Sequence, residues 1–150
     1  MRWGLAGALL IAGAAHAQDA PDGASLYGRC SACHTASGAG LPGAFPPLNR
    51  DLRMLAAKPA GRRYLVLAVR LGLIGPLSVE GQTYRNVMPA QGLDAASIAA
   101  VLNHVGTKIA HEGPAFAPFT PAEVAAILPD ADKTSASALA ALHGTLSDGK

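Results

Sequence analysis

Cys30-Ser31-Ala32-Cys33-His34 is the stretch on which the reading of this chain turns. Two thiols stand one helical turn apart and an imidazole follows the second directly, the spacing of a covalent c-type haem attachment site. Each thiol can add to one vinyl group of a porphyrin to form a thioether. The tether then leaves His34 beneath the iron as proximal ligand. Two other readings use the same residues. A CxxC pair can be a thioredoxin-like redox centre, which expects a βαβ setting, or half of a zinc site, which needs a second pair of ligands. The chain has only two cysteines, and the segment before them reads as helix, so haem attachment is the reading that satisfies every fixed position.

The N-terminus supports export. Arg2 supplies a positive start, residues 5–14 form an apolar and small run, and Ala15-His16-Ala17 has the A-x-A cleavage pattern of a secretory signal peptide over residues 1–17. The run is too short to span a bilayer, and no later stretch is long and apolar enough to do so. The expectation is a periplasmic protein, cleaved near Ala17, with no stable membrane insertion. An oxidising compartment would otherwise drive two cysteines toward a disulfide; thioether formation removes both thiols from that chemistry.

Composition points to helices around a prosthetic group. The chain holds three Phe, three Tyr and one Trp, and that tryptophan, Trp3, lies in the leader. Gly, Pro and Ala abundance suits short helices joined by loops rather than many strands. The formal net charge is +2 and Arg2 is the one charged residue of the leader, so the processed chain is near neutral and, being exported, is poorly suited to a nucleic-acid partner. Charge is uneven, however: Arg50, Arg53, Lys58, Arg62, Arg63 and Arg70 crowd a stretch whose only acid is Asp51. Such a stretch either steers an acidic redox partner or is a solvated helix face.

Along the chain, Asp22 is placed to cap a helix through the attachment site. Residues 35–49, with Gly38, Gly40, Gly43, Pro42, Pro46 and Pro47, read as a loop, from which a carbonyl near Pro46 or Pro47 is positioned to accept the His34 Nδ1 proton and orient the ring. Residues 52–57 suggest a short helix. Residues 61–72 suit a helix or a buried strand, with Gly72 and Gly75-Pro76 as stop signals favouring helix. Residues 73–89 are rich in breakers and are expected to be irregular. Asp94 caps a helix with Ile98, Val101, Leu102, Val105 and Ile109 on one stripe, Leu93 and Ile98 forming a staple. Thr120, Pro121 and Glu123 form a capping box with Phe119 and Val124 as its staple. Residues 136–146 form a weaker amphipathic piece broken at Gly144. Three segments result: the leader, a domain over 18–130, and a C-terminal extension over 131–150 that is partly helical or flexible.

A pure electron carrier keeps both axial positions of its iron filled. Met88, before Pro89 on a breaker-rich stretch, is the candidate sixth ligand, a soft neutral thioether that favours ferrous iron. Met54 is a rival on a helix, and His104, His111 and His143 offer bis-imidazole alternatives, the last two in weakly structured sequence. Tyr84, Arg85 and Asn86 are placed to reach the propionates or the methionine sulfur.

With Gly23 and Tyr27 ahead of the CSACH motif, Phe45-Pro46-Pro47-Leu48, and Gly81-Gln82-Thr83-Tyr84 running to Met88-Pro89, residues 22–128 resemble a class I mono-haem cytochrome c, in particular the small exported bacterial cytochromes or cytochrome subunits that serve periplasmic dehydrogenases. The resemblance implies an all-α bundle of short helices and loops wrapped around one covalently attached haem c, Cys30 and Cys33 as thioether anchors, and His34 and Met88 as the metal ligands. It implies a one-electron carrier with no catalysis of its own. Its donor would be a periplasmic dehydrogenase and its acceptor an oxidase or another cytochrome. A permanent subunit of a larger complex and a haem-based ligand sensor are the alternatives. Two departures stand out: Leu26 takes the place where many relatives carry an aromatic, with Tyr27 one residue nearer the first cysteine, and no tryptophan survives to bond a propionate.

Overall fold

The computed structural model describes residues 20–147; the predicted leader lies outside the described residues. The helices are α1 (Gly23–His34), α2 (Arg50–Ala56), α3 (Pro59–Leu71), α4 (Ala95–His104), α5 (Pro121–Ile127) and α6 (Ala136–Ser147), with a hairpin of β1 (Leu77–Val79) and β2 (Gln82–Tyr84) between α3 and α4. This is an all-α architecture with one small sheet.

Both ends of the central crossing start at the expected caps. The Asp22 carboxylate accepts from the Ala24 and Ser25 N–H groups at 3.1 and 3.2 Å, and that of Asp94 accepts from Ser97 N–H at 2.8 Å, filling donors that a helix start leaves open. Helices α1 and α4 then cross closely. Gly23 lies against the Ala100 carbonyl, where a Cβ would collide, and Tyr27 tilts over the His104 ring at a centroid distance of 5.5 Å. His104 is thus a packed side chain away from the attachment site. Ile98, Val101 and Leu102 are buried as the stripe predicts, and so are Val105 and Ile109. Between those last two the helix widens into a π turn, Val105–Ile109, in which Ala110 N–H reaches back to the Val105 carbonyl at 2.7 Å.

Residues 61–72 resolve as helix. Tyr64, Leu65 and Ala68 are buried together with Val66 and Leu67, and Gly72 ends the helix by donating to the Ala68 carbonyl at 2.9 Å. The segment expected to be irregular is not wholly so. Leu77 pairs with Tyr84 and Val79 with Gln82 across an antiparallel hairpin. The connecting Glu80 and Gly81 both have positive φ, 51° and 79°, the pattern of the tight turns whose twist matches paired strands. Glu-Gly is a weaker turn signal than Asn-Gly or Asp-Gly, and with three residues per strand the alternation was too short to register.

The capping box at α5 forms by half. Thr120 Oγ1 accepts from Glu123 N–H at 3.1 Å, but the Glu123 carboxylate turns away and takes both Nε and Nη2 of Arg62, at 2.6 and 2.7 Å. A bidentate charge-assisted pair outcompetes a single bond to a backbone N–H. Arg62 also donates to the Ala117 and Pro118 carbonyls and stacks on Phe119 at 3.7 Å. Its hydrogen bonds hold the Glu123 carboxyl below its usual range. A depressed folded pKa contributes stability above the unfolded value, and that stability is lost as pH falls through the folded value. Glu123→Gln is therefore expected to cost about 0.5–1 kcal/mol near neutrality and nothing measurable once acid has protonated Glu123. Urea unfolding of both proteins at pH 7 and through a series of acid pH values checks this, the difference between them shrinking as pH falls.

The rest of the basic stretch is likewise committed to the fold. Arg63 pairs with Asp130 at 2.7 Å, Arg53 Nη2 donates to the Gly106 carbonyl at 3.0 Å, and Lys58 Nζ to the Leu146 carbonyl at 3.2 Å. Most of these cations brace α2 and α3 against later segments, while Arg50 and Arg70 remain open to solvent.

The C-terminal helix differs most from expectation. It runs through Gly144 without breaking and buries Leu139, Ala140 and His143, with Leu139 part of the main core. Residues 139, 140, 143 and 146 recur at helical spacing, so His143 lies on the buried face of α6 rather than in weakly structured chain.

Candidate functional site

Helix α1 carries Cys30, Cys33 and His34 to one wall of an apolar cleft enclosing about 1280 Å³ of atom-free space out to its mouth. Phe45, Pro46, Leu65, Ala68 and Leu102 furnish other parts of the wall. His34 is buried, and its Nδ1–H donates to the Pro46 carbonyl at 2.9 Å, the bond expected from the loop's composition. This fixes the tautomer and presents the Nε2 lone pair. Burial pushes the imidazole's pKa down, opposed by that same bond, so the ring is held neutral.

Gly40 makes the arrangement possible. It has φ +65°, and a Cβ there would run into the Phe45 and Pro46 carbonyls; its own N–H donates to the His34 carbonyl at 2.9 Å. The loop after α1 thereby folds back tightly enough for Pro46 to meet the ring.

Met88 also lines the cleft, as do Tyr84 and Asn86. Arg85 is exposed and is not among the lining residues. The Met88 backbone is held by two bonds to Leu73, from Leu73 N–H to the Met88 carbonyl at 2.9 Å and from Met88 N–H to the Leu73 carbonyl at 3.0 Å. Met54 stands on α2 beside a second, polar pocket, outside the apolar cleft. His111 is exposed, its N–H bonded to the Asn49 carboxamide. Of the rival ligands only His143 lines the cleft.

The meeting of three polar side chains in the wall was not foreseen from the sequence. Asp51 Oδ2 accepts from His143 Nε2–H at 2.9 Å, and the Tyr64 ring meets the His143 imidazole edge-on at 5.5 Å between centroids. The Tyr64 hydroxyl is buried with no hydrogen-bond partner among the described residues. Burial, with the Asp51 carboxylate adding to it, raises the phenol's pKa, so the group is a permanent donor. The helical recurrence of apolar positions on α6 was the signal that would have found His143.

The cleft suits a porphyrin. Its wall is apolar, a sulfur pair and a neutral imidazole enter it from one helix, and a buried hydroxyl in its wall has no acceptor among the described residues, as a donor meant for an acidic group would. The dithiol alternatives fare worse. Burial raises the Cys30 thiol's pKa, only partly offset by Arg29, whereas a reactive thiol needs it lowered. The sheet is a lone hairpin and not a βαβ unit. No group of three or more His, Cys, Asp or Glu suited to a metal ion occurs among the described residues, which leaves the CxxC pair short of a zinc ligand set.

The sequence profile of the cytochrome c family matches residues 20–129. One cytochrome c-552 of Thermus thermophilus is 44% identical over 119 residues, covering 77% of this chain and 79% of the relative. A second Thermus thermophilus cytochrome c-552 is 44% identical over 106 residues, covering 69% and 81%. No helix among the described residues is long and apolar enough to cross a membrane. The chain belongs to the cytochrome c family, electron-transfer proteins rather than enzymes, and as such it binds haem c covalently through Cys30 and Cys33 and works with redox partners.

Proposed function

We propose that this protein is an exported one-electron carrier whose haem iron is ligated by His34 and Met88. What supports the ligand assignment is that two anchored side chains line one cleft: His34, whose Nδ1–H bonds the Pro46 carbonyl, and Met88, whose backbone is tied to Leu73. When bound, haem supplies the reversible ferric–ferrous couple. The chain's own part is to present a neutral imidazole and a thioether, to exclude water with an apolar wall, and to hold one ligand at the end of α1 and the other on a backbone-anchored loop so that little reorganises when an electron moves.

Residues 1–17 act as the export leader, residues 18–130 as the cytochrome domain, and the chain from 131 onward as an extension whose helix α6 packs over α3 and β1. Electrons pass from a periplasmic dehydrogenase to a respiratory acceptor such as an oxidase or another cytochrome. Ile74 and Val87, 51% and 57% exposed, flank the Leu73–Met88 bridge. They offer a small apolar contact for a partner that must dissociate after each transfer.

The test is an optical and redox titration of protein matured with its haem. The reading expects a ferric thioether-to-iron charge-transfer band, a reduced state that does not bind carbon monoxide at neutral pH, and one reversible one-electron wave. Ready carbon monoxide binding by the reduced protein would instead make it a ligand sensor.

A further inference from the structure

With His34 and Met88 as the proposed ligands, the Asp51–His143 pair is left without a part in attaching the haem or ligating iron. The His143 side chain is 2% exposed and that of Asp51 16%, so an ionisable ring sits almost dry in the wall of the cleft that takes the redox group. Asp51 borders two spaces: it lines the apolar cleft and also the polar pocket formed with Arg50, Ser78, Glu80 and Glu112. It therefore stands between His143 and a wet, charged recess that can deliver protons.

We propose that His143 and Asp51 form a redox-linked proton site, in which uptake of one electron by the protein is accompanied by uptake of a proton from water on the His143 imidazole. The proposal rests on the haem occupying the cleft and on His143 not being its sixth ligand, as the proposed function has it; it does not need Met88 in particular. Reduction removes one unit of positive charge from the cleft while the Asp51 carboxylate stays in place, so the imidazolium is better tolerated in the ferrous protein. A unit charge roughly 10–15 Å away, at an effective dielectric constant of about 20, changes a proton affinity by about tenfold.

The surroundings of α6 leave His143 as the titrating group. From α2 it faces Asp51, whose far side meets Arg50, Glu80 and Glu112 in the polar pocket. From α3 it faces Tyr64, whose raised pKa keeps it protonated. Strand β1 brings no ionisable residue, and Lys58 is engaged by the Leu146 carbonyl.

The sign follows from the direction of coupling. His143 binds its proton more tightly in the ferrous protein, so the reduction potential is flat at acid pH, falls as pH rises between the ferric and ferrous pKa values of His143, and is flat again above them. A tenfold difference in affinity corresponds to a total fall of about 59 mV for one electron.

The experiment is spectroelectrochemical titration of the full-length haem-loaded protein from pH 5 to pH 9, as wild type, His143→Gln and Asp51→Asn. The His143 ring is also titrated by NMR in the wild type in both oxidation states. The expected result is a fall in the wild type that disappears in H143Q and moves to lower pH in D51N, with His143 titrating about tenfold more weakly in the ferric protein. Equal His143 affinities in the two states, or an undiminished fall in H143Q, would overturn the proposal. Should H143Q fail to mature, the wild-type NMR comparison decides alone. The charge-transfer band of the same samples reports Met88 independently, so its absence while His143 still titrates would strike the ligand assignment and leave this one standing, whereas its absence with a His143 that no longer titrates would overturn both.

Discussion

Replacing Met88 by Ala in the haem-loaded protein is expected to abolish the ferric thioether-to-iron charge-transfer band and to open the reduced iron to carbon monoxide. It should lower the reduction potential by on the order of 100 mV or more, within the ~0.8 V that axial ligation spans. A neutral, soft thioether stabilises ferrous iron, and alanine offers nothing in its place. The loop itself should survive, because it is fastened by backbone bonds between Met88 and Leu73 that the substitution leaves intact. The effect is thus one of ligation and not of folding. Met54→Ala, on the polar side of α2, should leave both the band and the potential unchanged. If M88A keeps the band and M54A loses it, the ligand assignment is reversed.

Gly72→Val should act on the same ligand from a distance. Gly72 has φ 73° and ψ −172°, a region open essentially to glycine alone, where other residues cost about 1–3 kcal/mol. A Cβ there would also strike the Met88 carbonyl and crowd the Pro89–Ala90 peptide, the stretch of backbone that carries the proposed ligand. The expected outcome is a loss of roughly 2–4 kcal/mol in urea unfolding, together with a weakened charge-transfer band. Gly81→Ala is the control. Its φ is also positive, at 79°, but nothing lies within 4 Å of the added carbon, so it should cost about 1 kcal/mol and leave the spectrum unaltered. Equal spectral damage from both substitutions would mean that the Met88 loop is not what Gly72 supports.

How much of this was legible beforehand divides along a physical line. Wherever one short run of residues does the work, the sequence sufficed. The attachment motif, the Asp22, Asp94 and Thr120 caps and the stripe from Ile98 to Ile109 depend on local spacing set by helix and turn geometry, and the loop's prolines narrowed the His34 acceptor to Pro46 or Pro47, of which the structure uses Pro46. The choice of helix for residues 61–72 was also reachable, because Gly72 could not continue it. Glu123 shows the limit: its position matched a capping box, but Arg62, far away in the chain, offered a stronger partner.

What only the tertiary structure decided is where distant side chains meet. The six clustered cations read as a patch because sequence cannot say that Arg62, Arg63, Arg53 and Lys58 each find an acceptor on a later segment. A hairpin turning on Glu80-Gly81 emerged from cross-strand pairing of too few residues to leave a periodic trace. His143 and Asp51 lie 92 residues apart in sequence and 2.9 Å apart in space; docking of α6 onto α3 and β1 brings them together. Local rules of capping, periodicity and motif spacing placed the haem on this chain. The charged company kept in the walls of the cleft was settled by long-range packing, since burial of an ionisable ring is tolerated only where the rest of the fold supplies its partner.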